Sequence, residues 1–348
     1  MALRWDDKLI FKKVYKVLKG TSQKSSEALN FLGLLGNIGI VIGVVTYFSL
    51  EPQRRYEVSI DAWQTISNAH EQAGDGGRKQ AVEFLNASPG SHWRRRSICL
   101  WICTWPSEPL DSQDFSKVHF EKVELPEASL SQTIFTEANL KRANLQGATL
   151  KNAQLEMANL QSANLTNANL TNAILTDTNL KHAWMDGALL GGANLQDAFL
   201  EDVSLTNAFL EEANLTDVDL DLSELASADL DYANLEGASL EKTNLETASL
   251  SNVNFADANF RQANLQNADL RTANLVNADL WETNLKGANL LHANLQDAVF
   301  SGVDLESTKG LKQSQLSQAK ICRVKLPAHI SLNPDRDCQE IALKGRLH

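Results

Sequence analysis

Side chains able to do chemistry are few in this 348-residue chain, and they are badly spaced for it. The cysteines are Cys99, Cys103, Cys322 and Cys338; the first two form a CxxxC rather than the CxxC of common zinc sites. The histidines, His70, His92, His119, His182, His292, His329 and His348, are scattered. No HExxH, no phosphate-binding glycine loop and no GxGxxG in a strand–helix setting occurs. No catalytic grouping, metal set or cofactor site is therefore expected, and the chain reads as a non-enzyme. What remains is charge. The net value is −11, but residues 110–305 hold 29 Asp and Glu against 10 Lys and Arg, so an acidic body is joined to basic ends. Such a body argues against direct nucleic-acid binding, which needs clustered cations.

The acidic body is a repeat of period five. From Leu110 to Leu305 every fifth residue is Leu or Phe, except Met185, over forty consecutive positions without a break in register. Two before each stands mostly Ala; just before each stands usually Asn, Asp or Ser, as in "ANLQSANLTNANLTN" at 158–172. Five is neither the helical period nor that of a plain strand. Self-similarity at a short fixed period marks a solenoid.

The A-[ND]-L-x-x motif resembles the pentapeptide-repeat family over more than half of the chain. The resemblance implies an all-β fold, a right-handed quadrilateral parallel β-helix with four pentapeptides in each 20-residue coil. The repeats then make about ten coils and a rod of about 48 Å. The central Leu and the small residue before it point inward, and residues twenty apart stack. Phe115 is expected beneath Phe135, Leu160 beneath Leu180 and Leu200, and the adaptable Met185 in an irregular place. Open ends need caps. The Trp-rich stretch with Trp93, Trp101 and Trp105 is expected over the first coil. Leu311, Leu316, Ala319 and Lys320 are expected to form a short helix across the last, after which the chain trails off. A similar "GL…QL…A…LP" segment ends many bacterial members.

Residues 31–50, "FLGLLGNIGIVIGVVTYFSL", carry no charge. At 1.5 Å per residue they span about 30 Å, a bilayer core, and predict a single transmembrane helix. Basic residues are denser before it than after, which places the N-terminus on the cytoplasmic side and the repeats in a periplasm or lumen. Gly39 and Gly43, with Asn37, offer a route to a homodimer. "KLIFKKVYKVLKG" at 8–20 reads either as a basic amphipathic helix on anionic lipid or as a solvated juxtamembrane stretch. Tyr56, Ile60, Trp63 and Ile66 fall at helical spacing, and a "GDGG" turn separates them from a second helix. The expected organisation is a basic segment (1–30), a membrane helix (31–50), a helical linker and cap (51–109), the β-helix (110–305) and a C-terminal cap and tail (306–348). The "GGRKQAVEFLN" segment is similar to stretches preceding the repeats in some membrane-bound, cyanobacterial-like members, which implies a thylakoid or plasma membrane.

Function must live on outward positions. Glu201, Asp221 and Glu241 stack on one side, and Glu211 and Asp231 on the opposite side, as ladders of like charge. The position before the central Leu, normally polar, is instead Ile174, Trp184, Leu189, Phe199, Phe209 and Val299, and Trp281 and Leu291 add apolar area further along. Two readings stand: a solvated acidic skin with scattered hydrophobes, or a contact surface for a basic partner or divalent cations. The expectation is a membrane-tethered, non-catalytic scaffold whose partners are the lipid bilayer and another protein. The resemblance implies an alternative, since some family members are acidic rods that imitate DNA and bind topoisomerase. Outside the cytoplasm a disulfide between Cys322 and Cys338 is also open.

Overall fold

The computed structural model describes residues 53, 56–66, 77–86 and 109–343. The chain divides into two units, Met1–Asp61 and Ala62–His348. The expected membrane helix, the Gly39/Gly43 contact, the basic segment, the three tryptophans of the linker and Cys99 and Cys103 lie outside the described residues. Among the described residues no helix is long and apolar enough to cross a membrane.

In the first unit residues 56–61 are helical, with Tyr56 and Ile60 exposed. In the second unit the helical turn 62–66 buries Ala62 and Ile66, and Trp63 packs against the same core. The helix Arg78–Leu85 follows and buries Ala81, Val82 and Leu85. This helix closes the first coil of the repeats. Lys79 Nζ donates to the carbonyl of Glu121 at 2.6 Å, Asn86 Nδ2 to that of Pro126 at 3.0 Å, and the amide of Glu124 donates to Glu83 Oε1 at 3.1 Å. Backbone groups left over at the end of the solenoid thereby gain partners.

From residue 110 the pentapeptides make one turn and one short parallel bridge to the residue twenty further on, beginning with Asp114↔Ile134 and recurring at every fifth position as far as Asp279↔Val299. The turn has a cause in the sequence. The amide of Ala143 donates to the carbonyl of Leu140 at 2.9 Å, and the residue between them, Arg142, has φ 57°. A positive φ at the third position defines a type II turn and favours Gly or Asn. Position 5n+2 is therefore rich in Asn, Asp and Gly. Between turns each amide finds a carbonyl in a neighbouring coil: Leu140 donates forward to Asn159 at 2.8 Å, and Asn159 donates back to Ala138 at 2.8 Å.

Inside the tube the central Leu, Phe and Met185 and the small residue two before them are fully buried. Phe115 and Phe135 stack with ring centroids 5.3 Å apart, as the 20-residue register requires. Where a hydroxyl replaces Ala it bonds to a carbonyl, as Thr178 Oγ1 does to Leu155 at 2.8 Å and Thr283 Oγ1 to Phe260 at 2.8 Å. Asparagine side chains form ladders along the outside: Asn274 Nδ2 donates to Asn254 Oδ1 at 2.8 Å, and Asn254 Nδ2 to Asn234 Oδ1 at 2.8 Å.

The C-terminal end departs from expectation. The helix is only Gln313–Leu316, and Lys320 opens a strand, Lys320–Cys322, that pairs in parallel with Val299–Ser301. Here the register is 21, Val299↔Lys320, because the small helix inserts one residue. Gln315 Nε2 ties this helix to the last coils by donating to the carbonyls of Leu290 and Ala293, each at 2.9 Å. The chain then folds over the final strand rather than trailing off. Ile321 N donates to Asp337 Oδ2 at 2.9 Å and Arg323 N to Asp335 Oδ1 at 3.0 Å, so carboxylates stand where a further coil would offer carbonyls. The helix Cys338–Leu343 follows, and Cys322 and Cys338 are joined by a disulfide across a separation of 16 residues.

Candidate protein-binding site

The outward acids divide once their oxygens are followed. In most repeats the Asn or Asp at position 5n+4 accepts from the amide two residues on, as Asn244 Oδ1 does from Glu246 N at 3.2 Å. Four repeats carry Ser there instead: Ser129, Ser204, Ser239 and Ser249. Serine makes that bond only weakly, and in these repeats the amide bonds elsewhere. Each time, an Asp eighteen residues earlier, in the preceding coil, supplies the acceptor. Asp221 Oδ1 takes Ser239 Oγ at 2.6 Å and Glu241 N at 2.8 Å. Asp231 Oδ1 takes Ser249 Oγ at 2.7 Å and Ser251 N at 2.9 Å. Asp111 and Asp186 serve Ser129 and Ser204 in the same way. Asp221 and Asp231, read from sequence as ladder charges facing a partner, are thus turned along the rod as structural acceptors. The sequence carries the signal: Asp occupies 5n+1 only where Ser stands eighteen later.

Two more candidates are neutralised within the chain. Glu201 Oε2 lies 2.6 Å from Lys181 Nζ, and this hydrogen bond holds the carboxyl below its usual range and the ammonium above its own. Glu241 Oε1 lies 2.9 Å from Lys242 Nζ. Glu211 has no cation within ion-pair reach among the described residues, and neither does its neighbour Glu212, which the sequence reading passed over. The signal for Glu212 was the doubled "EE" just past Phe209–Leu210, with the doubled glycine Gly191–Gly192 one coil below.

The apolar candidates also divide. Val299 is buried, because Cys322 and Ile341 of the C-terminal cap pack on it. Trp281 and Leu291 are half-buried rather than exposed. The Arg261 guanidinium sits 5.9 Å from the Trp281 ring, and Gly310 packs against Leu291 so closely that an added Cβ would stand 2.6 Å from that residue's Cβ. Ile174, Trp184, Leu189, Phe199 and Phe209 are exposed, but not on one surface. Leu189 and Phe209 are bridged neighbours on one side. Trp184 lies on the adjacent side, round the narrow corner Asp186–Gly187. Phe199, ten residues from Leu189 and Phe209, is half a coil away and faces the opposite direction. Its ring is accompanied by Lys181 Nζ at 5.9 Å.

What the geometry assembles is one face: Leu189 and Phe209 side by side, Trp184 round one corner, and Glu211 and Glu212 on the other. Beneath those acids Gly191–Gly192 leaves the corner without side chains. Cys322, Asp335 and Cys338 place potential metal-ligating atoms within 4.8 Å of one another, but the two sulfurs are bonded to each other and offer no thiolate.

A model described as a pentapeptide repeat region matches residues 109–195, and one of pentapeptide repeats matches overlapping stretches from 185 to 309. The chain belongs to the pentapeptide-repeat family. Members of this family are in general structural or binding proteins rather than catalysts. Solved pentapeptide-repeat structures resemble it. HetL, involved in heterocyst differentiation regulation in the cyanobacterium Nostoc, is 28% identical over 65% of this chain and 90% of its own, with a TM-score of 0.27. QnrB1, a plasmid-mediated fluoroquinolone resistance protein, is 19% identical over 60% of this chain and 92% of its own, with a TM-score of 0.35. A pentapeptide repeat protein of the Arabidopsis thaliana thylakoid lumen is 24% identical over 35% of this chain and 72% of its own, with a TM-score of 0.20. No curated protein matches this pentapeptide-repeat protein.

Proposed function

We propose that this protein is a membrane-tethered, non-catalytic scaffold whose β-helix, a rod of about ten coils, binds another protein through its middle. The observation that carries the binding role is the bridged pair Leu189 and Phe209, 39% and 51% exposed at positions the repeat normally fills with polar side chains. An apolar pair flanked by unneutralised acids is a contact surface rather than a soluble skin. The tether rests on the uncharged residues 31–50. The Cys322–Cys338 disulfide supports an oxidising periplasm or lumen for the repeats. The DNA-imitating alternative draws on the same negative charge, yet two of its phosphate-like groups, Asp221 and Asp231, are engaged along the rod. Topoisomerase inhibition that survives Phe209→Asn would favour that alternative.

The tether is tested in sealed vesicles. The full chain should resist carbonate extraction, a chain lacking residues 31–50 should be released, and added protease should leave the repeats intact until detergent opens the vesicles. Release of the full chain by carbonate refutes the tether. Digestion of the repeats in intact vesicles refutes the compartment.

A further inference from the structure

Resting on the protein-binding reading, we infer that the Leu189/Phe209 face receives a cationic amphipathic segment of its partner. Apolar side chains of that segment lie on Phe209, and a lysine or arginine reaches Glu211 and Glu212. Charge complementarity at a defined place selects this occupant. Several other acids on the middle coils have partners inside the chain: Glu201 with Lys181, Glu241 with Lys242 and Asp202 with His182 as ion pairs, and Glu236 and Glu246 with the neutral side-chain amides of Asn254 and Gln266, while exposed Asp217 lies one side further from Phe209. Glu211 and Glu212 are exposed, follow Phe209 after the buried Leu210, and are without a cation in ion-pair reach among the described residues. The corner one coil below is Gly191–Gly192, so no side chain stands between those carboxylates and a long basic side chain laid along the corner. A lysine stem is apolar and its head charged; the face offers aromatic surface for the stem and paired carboxylates for the head. An acidic or purely apolar segment satisfies only half of this surface.

The test uses the full-length chain in neutral-lipid nanodiscs and three labelled synthetic peptides of equal length: Lys/Leu amphipathic, Glu/Leu amphipathic and Lys/Ser. The Lys/Leu peptide is expected to bind, with affinity falling at least tenfold on Phe209→Asn and on the pair Glu211→Gln, Glu212→Gln, but unchanged on the pair Glu236→Gln, Glu246→Gln. Phe209→Asn restores the residue type that Asn169 and Asn289 hold in the same column, so the fold is kept, and circular dichroism checks it. Equal loss with the Glu236/Glu246 pair, or binding of Lys/Ser as tight as Lys/Leu, reduces the effect to general acidity and overturns the inference. Phe209-dependent binding of the Glu/Leu peptide also overturns it, yet leaves the protein-binding role standing. If no peptide binds and the native partner's retention is indifferent to Phe209→Asn, both fall.

Discussion

Replacing Asp221 by alanine removes two charge-assisted bonds, to Glu241 N at 2.8 Å and to Ser239 Oγ at 2.6 Å. Bonds to a charged group are worth about 1.5–3 kcal/mol each. All three residues are half-exposed, so water takes back part of the loss, and Asp221→Ala should cost about 1–3 kcal/mol. Ser239→Asn should rescue the variant, because an Asn at 239 supplies its own oxygen to the amide of Glu241, as Asn244 does to Glu246 at 3.2 Å. The coupling between the two changes is expected to be about 1–2 kcal/mol. Denaturant unfolding followed by the fluorescence of Trp184 and Trp281 measures the four-protein cycle, and exchange of the Glu241 amide locates the effect. If Asp221→Ala costs the same with Ser or Asn at 239, the Asp acceptor is no substitute for the missing Asn and the reasoning is refuted.

Other outcomes follow from the same contacts. Cys322→Ser with Cys338→Ser should loosen the C-terminal cap by about 3 kcal/mol, the entropy of a loop of this size, seen as faster exchange at Ile321 with the middle coils unchanged. The amide of Glu306, followed by Lys325, holds the Asp304 carboxyl below its usual pKa. That contribution is present above the unfolded carboxylate value, about 3.9, and is lost as pH falls through the lower folded value. Acid-induced opening of the C-terminal end should therefore begin below that point, and Asp304→Asn should remove this component; an unchanged acid profile would contradict it. Leu180→Ala, inside a filled column, should cost about 2–5 kcal/mol, and a cost well below that range would mean that the tube collapses around the gap.

The period of five carried the architecture because each position in it has one physical duty: a large apolar group for the axis, a small one beside it, an amide acceptor outside and a left-handed turn. Phe115 beneath Phe135 could be read directly from that rule, whereas Met185, expected in an irregular place, sits fully buried in the same register as the leucines, because an unbranched side chain fills the axis as they do. Interactions that break the period could not. The Asp–Ser exchange works across eighteen residues, between columns, so counting in twenties turned Asp221 and Asp231 into free charges. Val299 looked like Phe209 until the C-terminal segment covered it, and the 21-residue register arose from a four-residue helix with no strong pattern of its own. Trp281 was masked by Arg261, a neighbour one coil away whose side-chain direction no sequence spacing reveals.

Phe199 and Phe209 are the same residue type with similar exposure, placed on opposite sides of one rod. A photo-crosslinking amino acid at each position in turn, in intact membranes, isolates the face. The account predicts a discrete protein adduct from 209, abolished by Glu211→Gln with Glu212→Gln, and none from 199. Equal adducts from both positions, or an adduct from 199 alone, would contradict it.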